Sequence, residues 1–275
     1  MKLGIFFLIF IIALTVGYLS LNMHQRPVIF MATTTTEDSG ILKVLIPELE
    51  KDTGLDIDVV TFGTGKVLRS AMDGNADVIL VHDQISEKLF MKNGFGSERI
   101  NIMQNDFVLI GPTSDPANVK ATSSLIKAFQ RLHRSAEPFV SRGDDSGTHK
   151  AEMRIWQAAG TDDGFNSDDY KSGNYVITGA GMGRTLNIAV EKSAYILTDR
   201  ATWISFQNKG NLTILKANDP LLTNIYSILS VNAELYPHIN KEKQNLILNW
   251  FKSDKSKNLI NNYHYAGKQL FKSLL

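Results

Sequence analysis

The sequence predicts an α/β protein of two lobes, each a mixed, mostly parallel sheet flanked by helices. Short apolar runs alternate with amphipathic stretches from Pro27 onward, and strands that alternate with helices are typical of a sheet covered on both faces. The alternation starts again at Ser123, which indicates a second unit of the same kind. The chain has 275 residues, of which 43% are hydrophobic, and this is enough for two separate cores.

The spacing of apolar residues defines the elements of the first unit. Ile41, Leu42, Leu45 and Leu49 recur at helical spacing, whereas Ala76–Val81 is apolar apart from one aspartate, as in a buried strand. The predicted order is strand Val28–Met31, helix Ser39–Lys51, strand Leu55–Thr61, helix Thr64–Met72, strand Ala76–Val81, helix Ser86–Asn93 and strand Asn105–Gly111.

The second unit follows the same rule, and the chain then finishes with helices. The predicted order is helix Ser123–Arg134, strand Pro138–Ser141, helix Ser146–Ala159, a polar loop at Asp162–Ser172, strand Tyr175–Thr178, helix Met182–Lys192, strand Ser193–Thr198, helix Ala201–Gln207, strand Leu212–Leu215, a β-rich run at Asn224–Asn232, and helices Lys241–Phe251 and Ser256–Tyr263.

The late return to strand and helix predicts that the chain crosses between the lobes more than once. We expect crossings near Gly111-Pro112 and near Thr223–Tyr226. Lobe I then comprises residues 27–111 and 226–275, lobe II comprises residues 112–225, and residues 1–26 precede both.

The N-terminus predicts export. Lys2 precedes the largely apolar run Ile5–Leu21, and few charges follow it directly, as in a segment that targets export. A clear cleavage site is absent, and the length of the run fits either a cleaved signal peptide or an uncleaved membrane anchor. Both alternatives place the rest of the chain outside the cytoplasm. The family resemblance given at the end of this section implies that this location is the periplasm.

Composition excludes several classes of function. The chain has no cysteine, which excludes disulfides, thiolate zinc sites, cysteine nucleophiles and a lipid-modified cysteine. Its net charge is +1 and no basic run is present, so a nucleic acid is not expected as a partner.

Four loops of small polar residues stand between a predicted strand and a predicted helix: Thr33–Gly40, Gly63–Lys66, Asp144–Thr148 and Gly179–Arg184. In open α/β sheets such loops lie where ligands bind. The first N–H groups of a helix have no partner within the helix, and the helix dipole is positive at that end. Loops of this kind, with hydroxyl donors added, are suited to an oxyanion.

Other interpretations of these loops remain. Ser and Thr are preferred helix caps, so any one loop taken alone is explained as a plain cap. Ser146 and His149 could form a hydrolytic pair, but no nucleophile elbow is present. Asp144, Asp145 and His149 could bind a metal, but no second group of ligands is visible. The glycines at 179–183 lack the dinucleotide spacing.

Two residues of the loop Asp144–Thr148 and the helix after it are expected to support the site without contacting the ligand. We expect Asp144 to hold the guanidinium of Arg142 in a fixed pose, and His149 to be a partly exposed helix residue outside the first contacts with a ligand. Asp38 and Asp145 are expected to cap or flank helix starts and not to face an anion.

Several blocks resemble the tungstate-binding periplasmic proteins of tungstate-type ABC importers, over nearly all of the chain from about Ala32 to about Gln269. The blocks are Ala32–Gly40, Gly63–Lys66, Ala76–His82, Asn105–Pro112, Ser141–Lys150, Gly181–Asn187 and Thr198–Arg200. The fifth and sixth are specific. A more distant likeness is to phosphate-binding proteins, through the Arg-x-Asp-x-Ser-Gly-Thr pattern that begins at Arg142.

This resemblance implies a type II periplasmic binding fold that closes two lobes on one tungstate or molybdate ion, with no cofactor, metal ligand set or catalysis, and with an ABC permease as partner of a monomeric receptor. The family has Ser where this chain has Thr35. The ligand-binding residues that the resemblance implies are Thr33, Thr34, Thr35, Thr64, Arg142, Ser146, Gly147, Thr148 and Arg184.

Three functions are therefore compared below. The first is capture of tungstate or molybdate for an ABC importer. The second is capture of phosphate or sulfate. The third, from a different class, is an exported hydrolase that uses Ser146 and His149.

Overall fold

The computed structural model describes residues 26–161 and 174–275. The apolar run Ile5–Leu21 and the predicted polar loop Asp162–Ser172 lie outside these residues. In the part described, no helix combines the length and the apolar character needed to cross a membrane.

The elements of the N-terminal part follow the predicted alternation. They are β1 (Val28–Thr33), α1 (Thr34–Asp38), α2 (Leu42–Thr53), β2 (Ile57–Phe62), α3 (Thr64–Met72), β3 (Val78–Val81), α4 (Gln84–Lys92) and β4 (Gly96–Pro112). Helix α1 was predicted as a loop, and β4 begins earlier than the predicted strand at Asn105–Gly111. Its first half is rich in polar residues, such as Glu98, Arg99 and Asn101, which hid it from a search for apolar runs.

Up to the last helix the remaining elements match the predicted order, with small differences at their ends. The chain was predicted to finish with helices, but three short strands follow the last helix, and the final one is held by pairing with the distant strand β4. They are α5 (Leu125–Arg134), β5 (Phe139–Ser141), α6 (Gly147–Ala158), β6 (Tyr175–Ile177), α7 (Met182–Glu191), β7 (Ile196–Asp199), α8 (Arg200–Ser205), β8 (Leu212–Lys216), β9 (Thr223–Val231), α9 (Lys241–Lys252), α10 (Asp254–Asn261), β10 (His264–Tyr265), β11 (Lys268–Gln269) and β12 (Lys272–Ser273). A short 3-10 helix, Pro220–Leu222, precedes β9.

One long strand, β4, connects the two halves of a mixed sheet. The first half has the order β12-β4-β9-β3-β1-β2, with β1 parallel to both β2 and β3. Strand β4 pairs with β9 up to Asp106 and with β7 from Phe107 onward. Its end also pairs with β8. Strands β5 and β6 form a parallel pair beside the start of β7.

The hydrophobic cores separate in the same way. Two clusters draw on residues between Phe107 and Leu222, with Trp156 and Leu186 among their buried members. Two others draw on the chain before and after this stretch, apart from the buried Ala201 of α8, with Phe30 and Phe251 in contact with each other. The α/β fold of two lobes is therefore confirmed. The sheets were predicted to be mostly parallel, but among the described strands only the pairs of β1 with β2 and β3 and of β5 with β6 are parallel, because β4 and β9 run antiparallel to their neighbours. The boundaries 111/112 and 225/226 stay predictions, and the packing of Phe107 favours a first crossing close to Asp106.

Candidate functional site

The starts of two helices, one from each lobe, face each other across the cleft. The Gly65 N–H in α3 donates to the Asp145 carbonyl, just before α6, at 3.2 Å. A Cβ atom at Gly65 would lie 1.8 Å from the Asp145 carboxylate. Likewise, a Cβ atom at Gly147 would lie 2.5 Å from the ring of His82. Glycine at these two positions therefore allows the two lobes to approach this closely.

Arg142 follows β5 and is almost completely buried, with 2% of its surface exposed. Its Nε and Nη2 atoms donate to Asp144 Oδ2 at 3.1 and 2.6 Å. The expectation that Asp144 holds this guanidinium is confirmed. The third nitrogen, Nη1, is buried and has no hydrogen-bond partner, so one fully desolvated donor of a permanent cation is left over.

Two threonine hydroxyls, like Arg142 Nη1, are buried without a hydrogen-bond partner. Thr64 Oγ1, at the first position of α3, and Thr148 Oγ1, in the first turn of α6, are buried without a hydrogen-bond partner. A buried polar atom without a partner is costly and needs an explanation. Because Thr64, Arg142 and Thr148 come from loops that the sequence predicts to bind one ligand, a ligand between the lobes supplies that explanation.

The other predicted residues differ in their surroundings. Thr33 and Thr35 are buried at the end of β1 and in α1, and Thr34 is partly buried. Ser146 is buried, and its Oγ accepts from the His149 N–H at 3.2 Å as the cap of α6, which begins with Gly147. Arg184 is exposed on the first turn of α7. The structure brings α7 beside α1.

Sequence reasoning did not assign a role to His82, which follows β3 and lies within the site. Its Nε2 atom is 3.0 Å from Thr35 Oγ1, and its Nδ1 atom is 2.9 Å from Asn224 Oδ1. The ring stacks on Tyr226 with 4.8 Å between ring centroids. Burial lowers the pKa of His82 to about 4, and Arg142 adds to the lowering. His82 ends the block Ala76–His82 that carries the resemblance, but no local pattern indicates its role, since its partners are distant along the chain.

Three ion-pair contacts join the lobes beside the helix starts. Arg69 contacts Asp145 at 2.9 Å, and Arg154 contacts Asp83 at 2.5 Å. Lys150 donates to Ser86 at 2.8 Å and lies 3.9 Å from Asp83. The first pair is largely exposed, whereas Asp83 is 2% exposed, so the second pair is the less screened of the two.

The carboxylates near the site are engaged elsewhere or lie apart. Asp144 faces Arg142, and Asp145 faces Arg69. Asp38 ends α1 and is exposed. Desolvation raises its pKa and Arg142 lowers it, a balance that counts for little at an exposed group. Asp199 is buried, and desolvation raises its pKa to about 6 while Thr202 opposes the rise.

The hydrolytic alternative does not fit this geometry. The His149 ring uses Nδ1 to accept the Asp145 N–H at 3.2 Å, and Ser146 Oγ accepts from the backbone of His149. A general base instead accepts the proton of the nucleophile's hydroxyl. Among residues 26–161 and 174–275, no group of histidine, aspartate and glutamate side chains has the arrangement of a metal site.

The fold and the cleft define the class of two-lobed binding proteins. A family model described as a PBP superfamily domain matches residues 21–255 of the chain. A tungstate-binding protein TupA from Peptoclostridium acidaminophilum is 40% identical over 250 residues, spanning 90% of this chain and 85% of the relative. TupA from Campylobacter jejuni is 35% identical over 241 residues, spanning 86% and 87%.

Solved structures agree. A tungstate-binding TupA from Desulfovibrio alaskensis superposes with a TM-score of 0.75 at 38% identity, covering 90% of this chain and 99% of its own. A structure from Geobacter sulfurreducens, described as the tungstate ABC transporter, has a TM-score of 0.76 at 36% identity and covers 87% and 99%. The chain belongs to the TupA family of the PBP superfamily.

Proposed function

We propose that the protein captures tungstate between its two lobes and delivers it to the permease of an ABC importer. The observation that carries this proposal is the set of buried donors without partners, Thr64 Oγ1, Thr148 Oγ1 and Arg142 Nη1. They come from both lobes, so one small acceptor in the closed cleft can satisfy all of them. The names of the relatives identify such an acceptor.

A tetrahedral dianion fits the chemistry of the site. Burying an isolated dianion is very costly, so charge and donors must compensate it. Arg142 supplies a permanent positive charge with defined geometry. The starts of α3 and α6 add N–H donors and positive dipole ends. The proposed ligand-binding residues are Thr33, Thr34, Thr35, Thr64, Arg142, Ser146, Gly147, Thr148 and, at the exposed edge, Arg184.

The placement of carboxylates favours unprotonated oxyanions over phosphate. Monohydrogen phosphate presents a proton that calls for an acceptor, whereas tungstate and molybdate present acceptors only. Asp144 and Asp145 are each paired with an arginine, so the proposed lining consists mainly of donors. We expect phosphate to bind at least about 100-fold more weakly than tungstate, or roughly 3 kcal/mol.

Molybdate has nearly the same size and charge as tungstate, and we propose that it competes for this site. We further propose that the receptor is a monomer in the periplasm. The apolar N-terminal run then acts as a cleaved signal peptide or as an inner-membrane anchor. Because the relatives are binding proteins, we propose no catalytic step.

Competition calorimetry tests the proposal directly. The protein is titrated with tungstate, and then with tungstate in the presence of molybdate, sulfate or phosphate. The expected result is one site for which molybdate competes strongly and phosphate does not. Saturating ligand at about 1,000 times Kd should also stabilise the fold by roughly 4 kcal/mol. Equal affinity for phosphate would favour a phosphate receptor, and turnover of ester substrates that Ser146→Ala abolishes would favour the hydrolase.

A further inference from the structure

A chain of buried hydrogen bonds leads from the proposed site to the crossing strands. Thr35 Oγ1 contacts His82 Nε2 at 3.0 Å, and His82 Nδ1 contacts Asn224 Oδ1 at 2.9 Å. Asn224 Nδ2 then donates to Asn105 Oδ1 at 2.8 Å, between β9 and β4. Thr35, His82 and Asn224 are each at most 4% exposed, so water does not replace these partners.

The direction of the hydrogen bonds fixes the tautomer of His82. The Asn224 amide nitrogen donates to Asn105 Oδ1 and to the Tyr226 hydroxyl, which leaves the Asn224 carbonyl oxygen facing the imidazole. A carbonyl oxygen only accepts, so His82 Nδ1 carries a proton. In a neutral imidazole Nε2 is then an acceptor, and Thr35 must donate its single hydroxyl proton to it.

This arrangement conflicts with the proposed role of Thr35. A hydroxyl that donates to His82 presents only lone pairs to the cleft, and a tungstate oxygen facing those lone pairs is repelled. The conflict disappears when Nε2 also carries a proton. His82 then donates to Thr35 Oγ1, and the Thr35 hydroxyl is free to donate to the anion.

We propose that His82 is the positioning residue of the oxyanion site: it takes up one proton from solvent when the dianion binds and thereby turns the Thr35 hydroxyl toward the ligand. The inference rests on the proposed oxyanion-binding function. One N–H bond forms, at Nε2, and the bond that held this proton in the solvent or buffer acid breaks. The proton gained by the imidazole is lost by water or buffer.

The charges around His82 explain why the empty site keeps it neutral. Burial, with smaller contributions from Arg142 and Arg154, lowers its pKa to about 4 against the opposing effects of the hydrogen bond to Asn224 and the charge of Asp83. The polar and charged groups on the elements packed around the ring are Thr35 and Asp38 of α1, Asp83 before α4, Asn105 of β4, Arg142 after β5, Arg154 of α6, Asp199 of β7, and Asn224 and Tyr226 of β9.

A bound dianion reverses this balance. Arg142 is already paired with Asp144, so the site lacks positive charge to match two negative charges. At a separation of about 6 Å and an effective dielectric constant of about 20, the attraction favours the imidazolium by a factor of about 10⁴. This attraction opposes the burial that holds the pKa of His82 down, and we expect it to favour the imidazolium in the complex.

One competing arrangement places the proton elsewhere. If both amides, Asn224 and Asn105, were reversed, a neutral His82 could donate from Nε2 to Thr35. Asn105 lies 3.4 Å from Asp199 Oδ1, so the reversal would set two oxygens against each other unless Asp199 were protonated. Proton uptake would then belong to Asp199, which makes Asp199 the main alternative to test.

The decisive measurement is the ring-nitrogen spectrum of His82 in the wild-type protein. Long-range proton–nitrogen correlation at about pH 7 distinguishes an imidazolium from each neutral tautomer. The His82 signals are assigned by their loss in His82→Gln. We expect the Nδ1-protonated neutral form in the empty protein and the imidazolium once tungstate saturates the same sample. A neutral ring in the saturated complex would overturn the proposal.

Calorimetry in buffers of different ionisation enthalpy gives a second, independent readout. The wild-type protein should take up protons on binding tungstate, and its affinity should fall up to tenfold per unit of rising pH between about pH 6 and about pH 8. In His82→Gln the amide can donate permanently to Thr35, so uptake should vanish and the affinity should become independent of pH. The exposed His264→Gln serves as the matched control and should behave as wild type.

The outcomes separate the two levels of inference. Absence of any binding heat with tungstate would contradict the proposed function itself. Tungstate binding without proton uptake would contradict only the role of His82. Proton uptake that persists in His82→Gln and disappears in Asp199→Asn would assign the proton to Asp199. This result would also contradict the role proposed for His82.

Discussion

Replacing Arg142 by alanine should nearly abolish oxyanion binding while leaving the protein folded. Arg142 is 2% exposed, its Nε and Nη2 atoms are held by Asp144, and its Nη1 atom has no partner. The variant removes the proposed permanent cation together with its unpaired Nη1 donor. It also leaves the Asp144 carboxylate without its arginine, next to the place where a dianion would sit.

The size of the effect follows from these losses. Removing one partner of a buried, hydrogen-bonded charge pair costs 2–5 kcal/mol or more, and here the ligand carries two charges. We expect a loss of about 4 kcal/mol, which is a factor of about 10³ in Kd. Arg142→Lys keeps a positive charge but lacks the planar fork, so it should lose about 1.5 kcal/mol, or roughly tenfold.

The assay is calorimetry with tungstate, with circular dichroism and thermal unfolding as checks on the fold. The matched control is Arg134→Ala, which removes an exposed arginine at the end of α5 and should leave Kd unchanged. A folded Arg142→Ala protein that binds tungstate as tightly as wild type would refute the reasoning and remove Arg142 from the site.

Three further variants probe other parts of the structure. Thr64→Val should weaken tungstate binding about tenfold in calorimetry without destabilising the empty protein, since Thr64 Oγ1 has no partner to lose. Asp83→Asn breaks the pair with Arg154 and should weaken binding by about 1 kcal/mol, with a larger radius of gyration in scattering. Burial raises the pKa of Glu152 to about 7, so the folded state binds the extra proton and stability falls as pH rises from about 4.5 to about 7. This fall in the free energy of unfolding is about 3 kcal/mol at most. Glu152→Gln should make it smaller, and urea unfolding at about pH 4.5 and about pH 7 measures the difference.

The order of elements and the helix starts could be predicted because both depend on local sequence. Apolar spacing marks α2, and small polar residues mark the starts of α3 and α6. The pairing of Arg142 with Asp144 was also predictable, since only one residue separates the partners along the chain. These features need no knowledge of which strands are neighbours.

Other features depend on contacts between distant residues and carried no local signal. The first half of β4 is polar, and only its pairing with β9 makes it a strand. His82 gains its role from Asn224, which is 142 residues away in the sequence. The sequence-based resemblance grouped Arg184 with the site, but its exposure on α7 depends on how the helix packs and was not visible in the pattern.

The geometry makes lobe closure and anion binding a single equilibrium. Thr64 belongs to α3 of lobe I and Thr148 to α6 of lobe II, so the two hydroxyls reach one ligand only when the helix starts face each other. The apparent affinity is therefore reduced by the fraction of molecules that are closed. The pairs Arg69–Asp145 and Arg154–Asp83 each join one lobe to the other, and we expect them to raise that fraction without contacting the anion. Because each pair has one partner in each lobe, charge changes at these surfaces alter the affinity through closure, whereas changes at Thr64, Thr148 or Arg142 alter it through the anion itself.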